Sequence, residues 1–195
     1  MFSSGPPIRG PTSLCMGLAD AYQAGAETQG AEIRRLDLHA MEFDLNANGY
    51  GKHAAALEPD LLAWQEAVAW ADHILIVHPY WWGSMPTKAK AVIDRALAPG
   101  FAFKYHRSGI GWDKHLTGKT ADVVITSDTP PWLDTLIYWR SGRRVLTNQI
   151  LGFCGVKTRR ALQFGSVKTA SPEKIRGWIA RARRLGPRRQ PSARR

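Results

Sequence analysis

The sequence predicts an open α/β fold with a doubly wound parallel sheet, and three observations carry that prediction. Short apolar, β-branched runs at 74–77 (ILIV) and 120–127 (TADVVITS) lack the polar alternation of half-exposed strands, as burial on both faces requires. Helically spaced apolar residues fill the intervals between such runs, so strand and helix alternate along the chain. Proline and glycine mark the switches: Pro59, Pro86 and Pro172 sit where helices start, Pro99-Gly100 and Gly186-Pro187 where they stop. A chain of 195 residues with 44% hydrophobic content suits one domain with a substantial core.

Taken in order, Ser13 caps a helix to about residue 28, its hydroxyl accepting a free first-turn N–H. Leu14, Leu18, Ala21, Tyr22 and Gly25 give that helix a buried stripe. Gly30 breaks the chain, and residues 31–38 read as a strand with Ile33, Leu36 and Leu38 as its apolar positions. Residues 39–57, with Asn48-Gly49-Tyr50-Gly51, read as loop. Pro59 starts a helix lined by Leu61, Trp64, Val68 and Ala71. The strand at 74–77 stops at His78-Pro79, because proline cannot donate to a ladder. Tyr80, Trp81 and Trp82 follow, and Ser84-Met85-Pro86 opens a helix to about Leu97. Residues 101–119, with Gly109, Gly111 and Gly118, fit a hairpin or ordered loop. The strand at 120–127 leads to a second loop, Asp128-Thr129-Pro130-Pro131-Trp132. A helix over 135–153 closed by Gly155, a strand over 157–165 and a helix from Ser171-Pro172 complete the domain. Ile175, Trp178, Ile179, Ala182 and Leu185 form that last helix's apolar stripe.

The net charge of +11 is concentrated at one end. Residues 174–195 hold Lys174 and eight arginines with no acid, leaving 18 basic and 16 acidic groups in residues 1–173. The basicity therefore belongs to a tail, read as solvated and disordered over 187–195, and the domain itself is not read as a specific nucleic-acid binder. No apolar run approaches the roughly 20 residues of a membrane-spanning helix, and the N-terminus lacks a signal peptide's apolar region. Cys15 and Cys154 lie far apart in no metal-ligand spacing and read as reduced packing residues of a cytoplasmic protein; no metal site is expected.

A longer motif runs through the middle of the chain: Pro79, Trp81-Trp82, Pro86, Lys90, Asp94-Arg95 and Gly100-Phe101-Ala102-Phe103. In this order the residues resemble the flavodoxin-like NAD(P)H:quinone oxidoreductases, a family that includes the ancillary flavoproteins of potassium-efflux systems. Weaker similarity extends from about Ser13 to Gly186. The resemblance implies strand order 2-1-3-4-5, with the ligand at the switch point between the first and third strands. It also implies a first strand before Ser13, ending in a phosphate loop. Residues 1–12 carry three prolines and little apolar content, so the first strand reads as missing or degenerate. Either the true start lies upstream or the central strand has been lost. The domain is placed at 13–186.

The resemblance further implies a flavin, FMN or FAD, and NAD(P)H as co-substrate, with quinones or similar compounds as acceptors. The flavin carries the hydride, so no catalytic side chain is assigned. Ser13 at its helix N-terminus is either part of a phosphate cradle or a simple cap. Pro79, Tyr80, Trp81 and Trp82, with Thr126, Ser127, Asp128 and Thr129, match the family's two ring-binding segments. Trp82, Phe103 and Tyr105 fall where slot-lining aromatics belong, the last two crossing from the partner of a homodimer; ordinary packing is the alternative for Phe103 and Tyr105. His78, His106 and His115 are given no role. The rival function is a non-catalytic flavodoxin-fold subunit regulating a membrane transporter, which would be the protein's one link to a membrane.

Overall fold

The computed structural model describes the backbone of residues 2–3, and residues 13–47, 49 and 55–186. The readings made for 4–12, for the Asn48–Gly51 turn and for the 187–195 tail fall wholly or mostly outside these residues. The elements are β1 (Phe2–Ser3), α1 (Leu14–Glu27), β2 (Leu36–Asp37), α2 (Pro59–Trp70), β3 (His73–Pro79) and α3 (Thr87–Ala96). They continue with β4 (Phe103–Tyr105), β5 (Trp112–Lys114), β6 (Thr120–Thr126), α4 (Pro131–Leu136), α5 (Ser141–Arg144), a π-helical stretch (Val145–Leu151) and α6 (Gly152–Cys154). β7 (Lys157–Phe164), a 3₁₀ turn (Val167–Thr169) and α7 (Pro172–Arg184) complete the order.

Five strands form one sheet in the order β2-β1-β3-β6-β7, every pair parallel. The antiparallel β4–β5 hairpin stands apart. Without the hairpin strands the order is 2-1-3-4-5.

The N-terminal strand is degenerate rather than missing. Phe2 and Ser3 pair with Leu36 and Asp37 on one side and with Ile76 and Val77 on the other. These two residues occupy the central slot between β2 and β3. The strand expected over 31–38 shrinks to Leu36–Asp37, the two residues that pair with Phe2 and Ser3. The opposite correction applies to β3, which runs through His78 to Pro79 rather than stopping at Val77. Tyr80 N–H donates toward β6, to Thr126 O at 2.7 Å. By strand alternation the donor missing at Pro79 therefore faces away from β6, and the β3–β6 ladder loses no bond.

Alternation along β3 and β6 loads both faces. Ile74, Val123 and Ile125 pack with Leu61, Trp64, Val68, Val92 and Leu146 under α2, α3 and the π-helical stretch. Leu75, Val77 and Val124 pack with Leu18, Tyr22, Phe164 and Ala182 under α1 and α7. Full burial of each such aliphatic side chain is worth about 1.5–3 kcal/mol. α1 and α7 approach closely enough that a Cβ on Gly25 would lie 1.8 Å from Arg183 O. Ser13 and Ser171 cap their helices as expected, accepting from Met16 N and Lys174 N.

The helix expected over 135–153 is broken. Trp139 and Arg140 both adopt left-handed backbone, with φ of 53° and 55°, and separate α4 from α5. Downstream, Thr147 Oγ1 donates to Arg143 O at 2.9 Å, competing for a helical acceptor where the chain winds into its π-helical stretch.

Polar groups tie the core together at two places. Asp122, 2% exposed in the middle of the sheet, accepts from Tyr22 Oη at 2.8 Å and from Arg160 Nη1 at 3.2 Å. Burial pushes its carboxyl up, but hydrogen bonding to His73 and Tyr22 with the nearby positive charge outweighs burial and holds it below its ordinary value. Arg95, buried on α3, bonds Glu58 Oε1 at 2.6 Å, Asp44 O at 2.9 Å and Ala56 O at 3.2 Å. It thereby fastens the loop before α2 to the domain.

Candidate functional site

The carboxyl ends of β3 and β6 lie side by side, since Pro79 pairs with Thr126. The two loops that leave them form the candidate site, at the sheet edge where ligands of open α/β folds bind.

The first loop is a tight turn. Trp81 N–H donates to Ser84 O at 2.9 Å and Ser84 N–H to Trp81 O at 3.1 Å, with Trp82 and Gly83 between them at φ of 52° and 73°. Positive φ at both central positions is the hairpin geometry that favours small residues, and a tryptophan there is strained by its Cβ. The strain presents the indole to solvent: Trp82 is fully exposed and Trp81 half-exposed. Every non-glycine residue with positive φ among those described, namely Trp82, Trp139, Arg140 and Ser166, lies in a segment beyond the carboxyl end of β3, β6 or β7. Such outliers cluster where function offsets their cost.

The second loop is held by its own side chains. Ser127, buried, donates from Oγ to Thr129 O at 2.7 Å and accepts from Gln163 Nε2 at 3.0 Å. Asp128 accepts from Lys168 N at 2.8 Å, which fixes the loop to the 3₁₀ turn. Thr126 points the other way, its Oγ1 lying 3.2 Å from Cys15 Sγ. Burial pushes the Cys15 thiol up to about 11, so it is an inert packing group.

Each loop is seated on a glycine that carries no local signal in the sequence. A Cβ on Gly142 would lie 1.9 Å from Gly83 O, so α5 backs the Trp82-Gly83 turn at backbone distance. A Cβ on Gly165 would lie 2.6 Å from Thr129 O and 2.5 Å from Pro131 Cδ. With side chains spent on holding the loops, the backbone is left for recognition. The N–H groups of Trp82, Gly83, Asp128 and Thr129 take no acceptor among the described residues. Four such donors on two facing loops, beside an exposed indole, fit a flat heteroaromatic ring with carbonyl acceptors at its edge, as a flavin has.

The remaining expected residues separate. Ser13 is 6% exposed and uses its hydroxyl on Met16 N at 3.2 Å, a capping role. The stretch preceding it, where a phosphate loop was expected, lies outside the described residues. Phe103 is buried in the chain's own core, edge-on to Phe153 with centroids 4.9 Å apart. Tyr105 is exposed and packs edge-on against Phe103. His106 pairs with Asp113 at 3.0 Å on the hairpin surface. His78 is buried; burial pushes it down to about 4, and its Nδ1 bonds Pro79 O at 2.9 Å. Sequence reasoning passed over Asp134, Arg143, Gly142 and Gly165, all of which acquire their place through tertiary contacts. Among the described residues no cluster of three or more His, Cys, Asp or Glu could hold a metal ion, and no helix is long and apolar enough to cross a membrane.

Comparison with known proteins agrees with the geometry. The family described as having a flavodoxin-like fold matches residues 5–185. A ribosyldihydronicotinamide dehydrogenase [quinone] of Pongo abelii is 27% identical over 179 residues, covering 78% of this chain and 75% of its own. A ribosyldihydronicotinamide dehydrogenase-like protein of Penicillium crustosum is 32% identical over 102 residues, but the match spans only 35% of that protein. Among solved structures, Smu.1420 of Streptococcus mutans superposes with a TM-score of 0.79 at 25% identity, over 94% of this chain and 95% of that one. An NAD(P)H:quinone oxidoreductase of Methanothermobacter marburgensis superposes at 0.75 with 22% identity, over 94% and 93%.

Proposed function

Because the chain belongs to the flavodoxin-like fold family, we propose that it is an NAD(P)H-dependent oxidoreductase that reduces quinones or similar acceptors with a bound flavin, FMN or FAD. The observation that carries the reading is the pair of loops at the ends of β3 and β6, with four uncommitted backbone N–H groups beside an exposed Trp82. Relatives named as quinone dehydrogenases support the acceptor class.

When bound, a flavin takes a hydride from NAD(P)H and passes it to the acceptor. The protein's part is to bind, orient and tune. The N–H groups of Trp82, Gly83, Asp128 and Thr129 would hold the ring's carbonyl edge and favour negative charge there. Trp82 would wall the slot in which NAD(P)H and quinone alternate, its flat face excluding water and aligning a planar acceptor. Tyr105, exposed on the hairpin, is suited to complete the slot of a second copy in a homodimer, whereas Phe103 would stand behind it as support.

The test is the absorption spectrum of the purified chain, followed by NAD(P)H oxidation with a benzoquinone. Bound oxidised flavin and quinone-dependent turnover are expected. A folded chain that takes up neither FMN nor FAD on reconstitution overturns the proposal.

A further inference from the structure

Beneath the two loops lies a buried polar group that the fold does not use. Asp134 on α4 is 3% exposed, and its Oδ2 is buried without a hydrogen-bond partner. Within electrostatic reach of it, the hydroxyl of Tyr80, the residue that follows β3, is buried and equally unpartnered. The backbone N–H of Arg143 approaches the phenol oxygen but not in hydrogen-bonding geometry. His78, whose ring centroid is 5.9 Å from that of Tyr80, adds an orphaned Nε2. Two orphaned buried atoms at the carboxyl end of β3 and one on α4 call for an explanation, because such groups are ordinarily paired. The chemistry is complementary: Tyr80 has a proton without an acceptor, and Asp134 has an acceptor without a donor.

We propose that Tyr80 and Asp134 are a positioning pair, closing a hydrogen bond, direct or through one water, that ties the β3 loop to the β6 loop when the site takes its cofactor. The proposal rests on the flavin reading above. The pair is well placed for this: Tyr80 immediately precedes the Trp81–Ser84 turn, and Asp134 follows the Ser127–Thr129 loop by one helical turn. A buried water needs several polar partners, and Tyr80, Asp134 and the Arg143 N–H supply them. The charged groups facing the carboxylate are Arg143 on α5 and Arg140 in the bend; the titratable group facing it from β3 is Tyr80. Burial raises the Asp134 carboxyl, and the two arginines lower it without cancelling the rise. The phenol of Tyr80 is pushed up to about 12, first by burial and then by the Asp134 charge, so it remains a donor.

The consequence is a pH dependence of cofactor affinity. A tie made by the carboxylate draws on its ionised form, so loading the site favours ionisation of Asp134. Affinity therefore rises with pH through the titration of Asp134, whose carboxyl burial raises from its ordinary value.

The experiment measures flavin dissociation constants, by quenching of flavin fluorescence, across the acid limb for the parent, Tyr80→Phe, Asp134→Ala, Asp134→Asn and the Tyr80→Phe/Asp134→Ala double variant. Tyr80→Phe and Asp134→Ala are each expected to weaken binding on the order of 10-fold and flatten the acid limb, with the double variant no worse than either. Asp134→Asn, which still offers an acceptor, recovers most of the loss but not the pH dependence. Additive losses, or an acid limb that survives in Asp134→Asn, overturn the pairing. A parent that binds no flavin refutes the functional reading instead. In that case the tie, which closes only on loading, falls with it.

Discussion

Gly142→Ala drives a methyl group into the back of the Trp82-Gly83 turn. The new Cβ would lie 1.9 Å from Gly83 O, 3.0 Å from Gly83 C and 3.3 Å from Ser84 Cα. The obstacle is backbone on both sides, so no rotamer relieves it. Reaching even 3.0 Å requires the turn and α5 to part by about 1 Å, and Trp82 with the free N–H groups of the turn moves with it. A displacement of that size in a positioning element costs on the order of 100-fold in turnover, whereas overpacking at one site costs about 1–3 kcal/mol of stability. The variant should therefore stay folded, melt a few degrees lower and lose roughly 10- to 100-fold in flavin affinity and quinone turnover. Flavin titration, steady-state rates with a benzoquinone and a melting curve on the same preparation separate the two effects. A folded Gly142→Ala protein that binds flavin and turns over as the parent does would show that the seat of the turn does not position it.

Trp82→Ala should slow quinone turnover on the order of 10- to 100-fold while leaving the melting temperature nearly unchanged, because a fully exposed side chain contributes little to the core; equal rates would remove Trp82 from the slot. Gly165→Ala, whose Cβ would meet Thr129 O at 2.6 Å, should impair flavin affinity through the second loop in the same way as Gly142→Ala does through the first, and unaltered affinity would count against both loops. The Glu58 carboxyl is held down to about 2 by its hydrogen bond from Arg95, so its contribution to stability is complete above about pH 4.5 and is lost as pH falls toward 2. Arg95→Met should flatten that acid limb and lower the melting temperature at neutral pH, which an unfolding series across pH reads directly. Replacing residues 1–11 with an apolar strand and a Gly-His-Pro loop should raise the melting temperature and the bound flavin together, since each large side chain added to a buried central strand is worth about 1.5–3 kcal/mol; equal values for the two chains would show that the two-residue β1 suffices.

Some of this protein is decided by the sequence alone. The buried runs at 74–77 and 120–127 can only be strands covered on both faces, and the apolar stripes of 14–25 and 175–185 can only be the helices that cover them. Ser13 and Ser171 announce their helix starts because a cap is a local bond between neighbours in sequence. The aromatic loop after Pro79 and its ordered motif mark the candidate site for the same reason: contiguous residues carry them. Tertiary structure decided the rest, where a residue's role depends on what is brought against it. Leu36–Asp37 is a strand because Phe2 and Ser3 are brought against it. Pro79 is tolerated inside β3 because its missing donor faces away from β6. Trp139 and Arg140 break a stretch whose apolar spacing reads as continuous helix, and no local signal in those residue types forecasts left-handed backbone. Gly142 and Gly165 are anonymous in sequence and indispensable in space, since what forbids a Cβ there is the backbone of another loop. Asp134 carries no signal in the sequence until α4 folds its carboxylate inward, and only burial turns that carboxylate into a group in need of a partner.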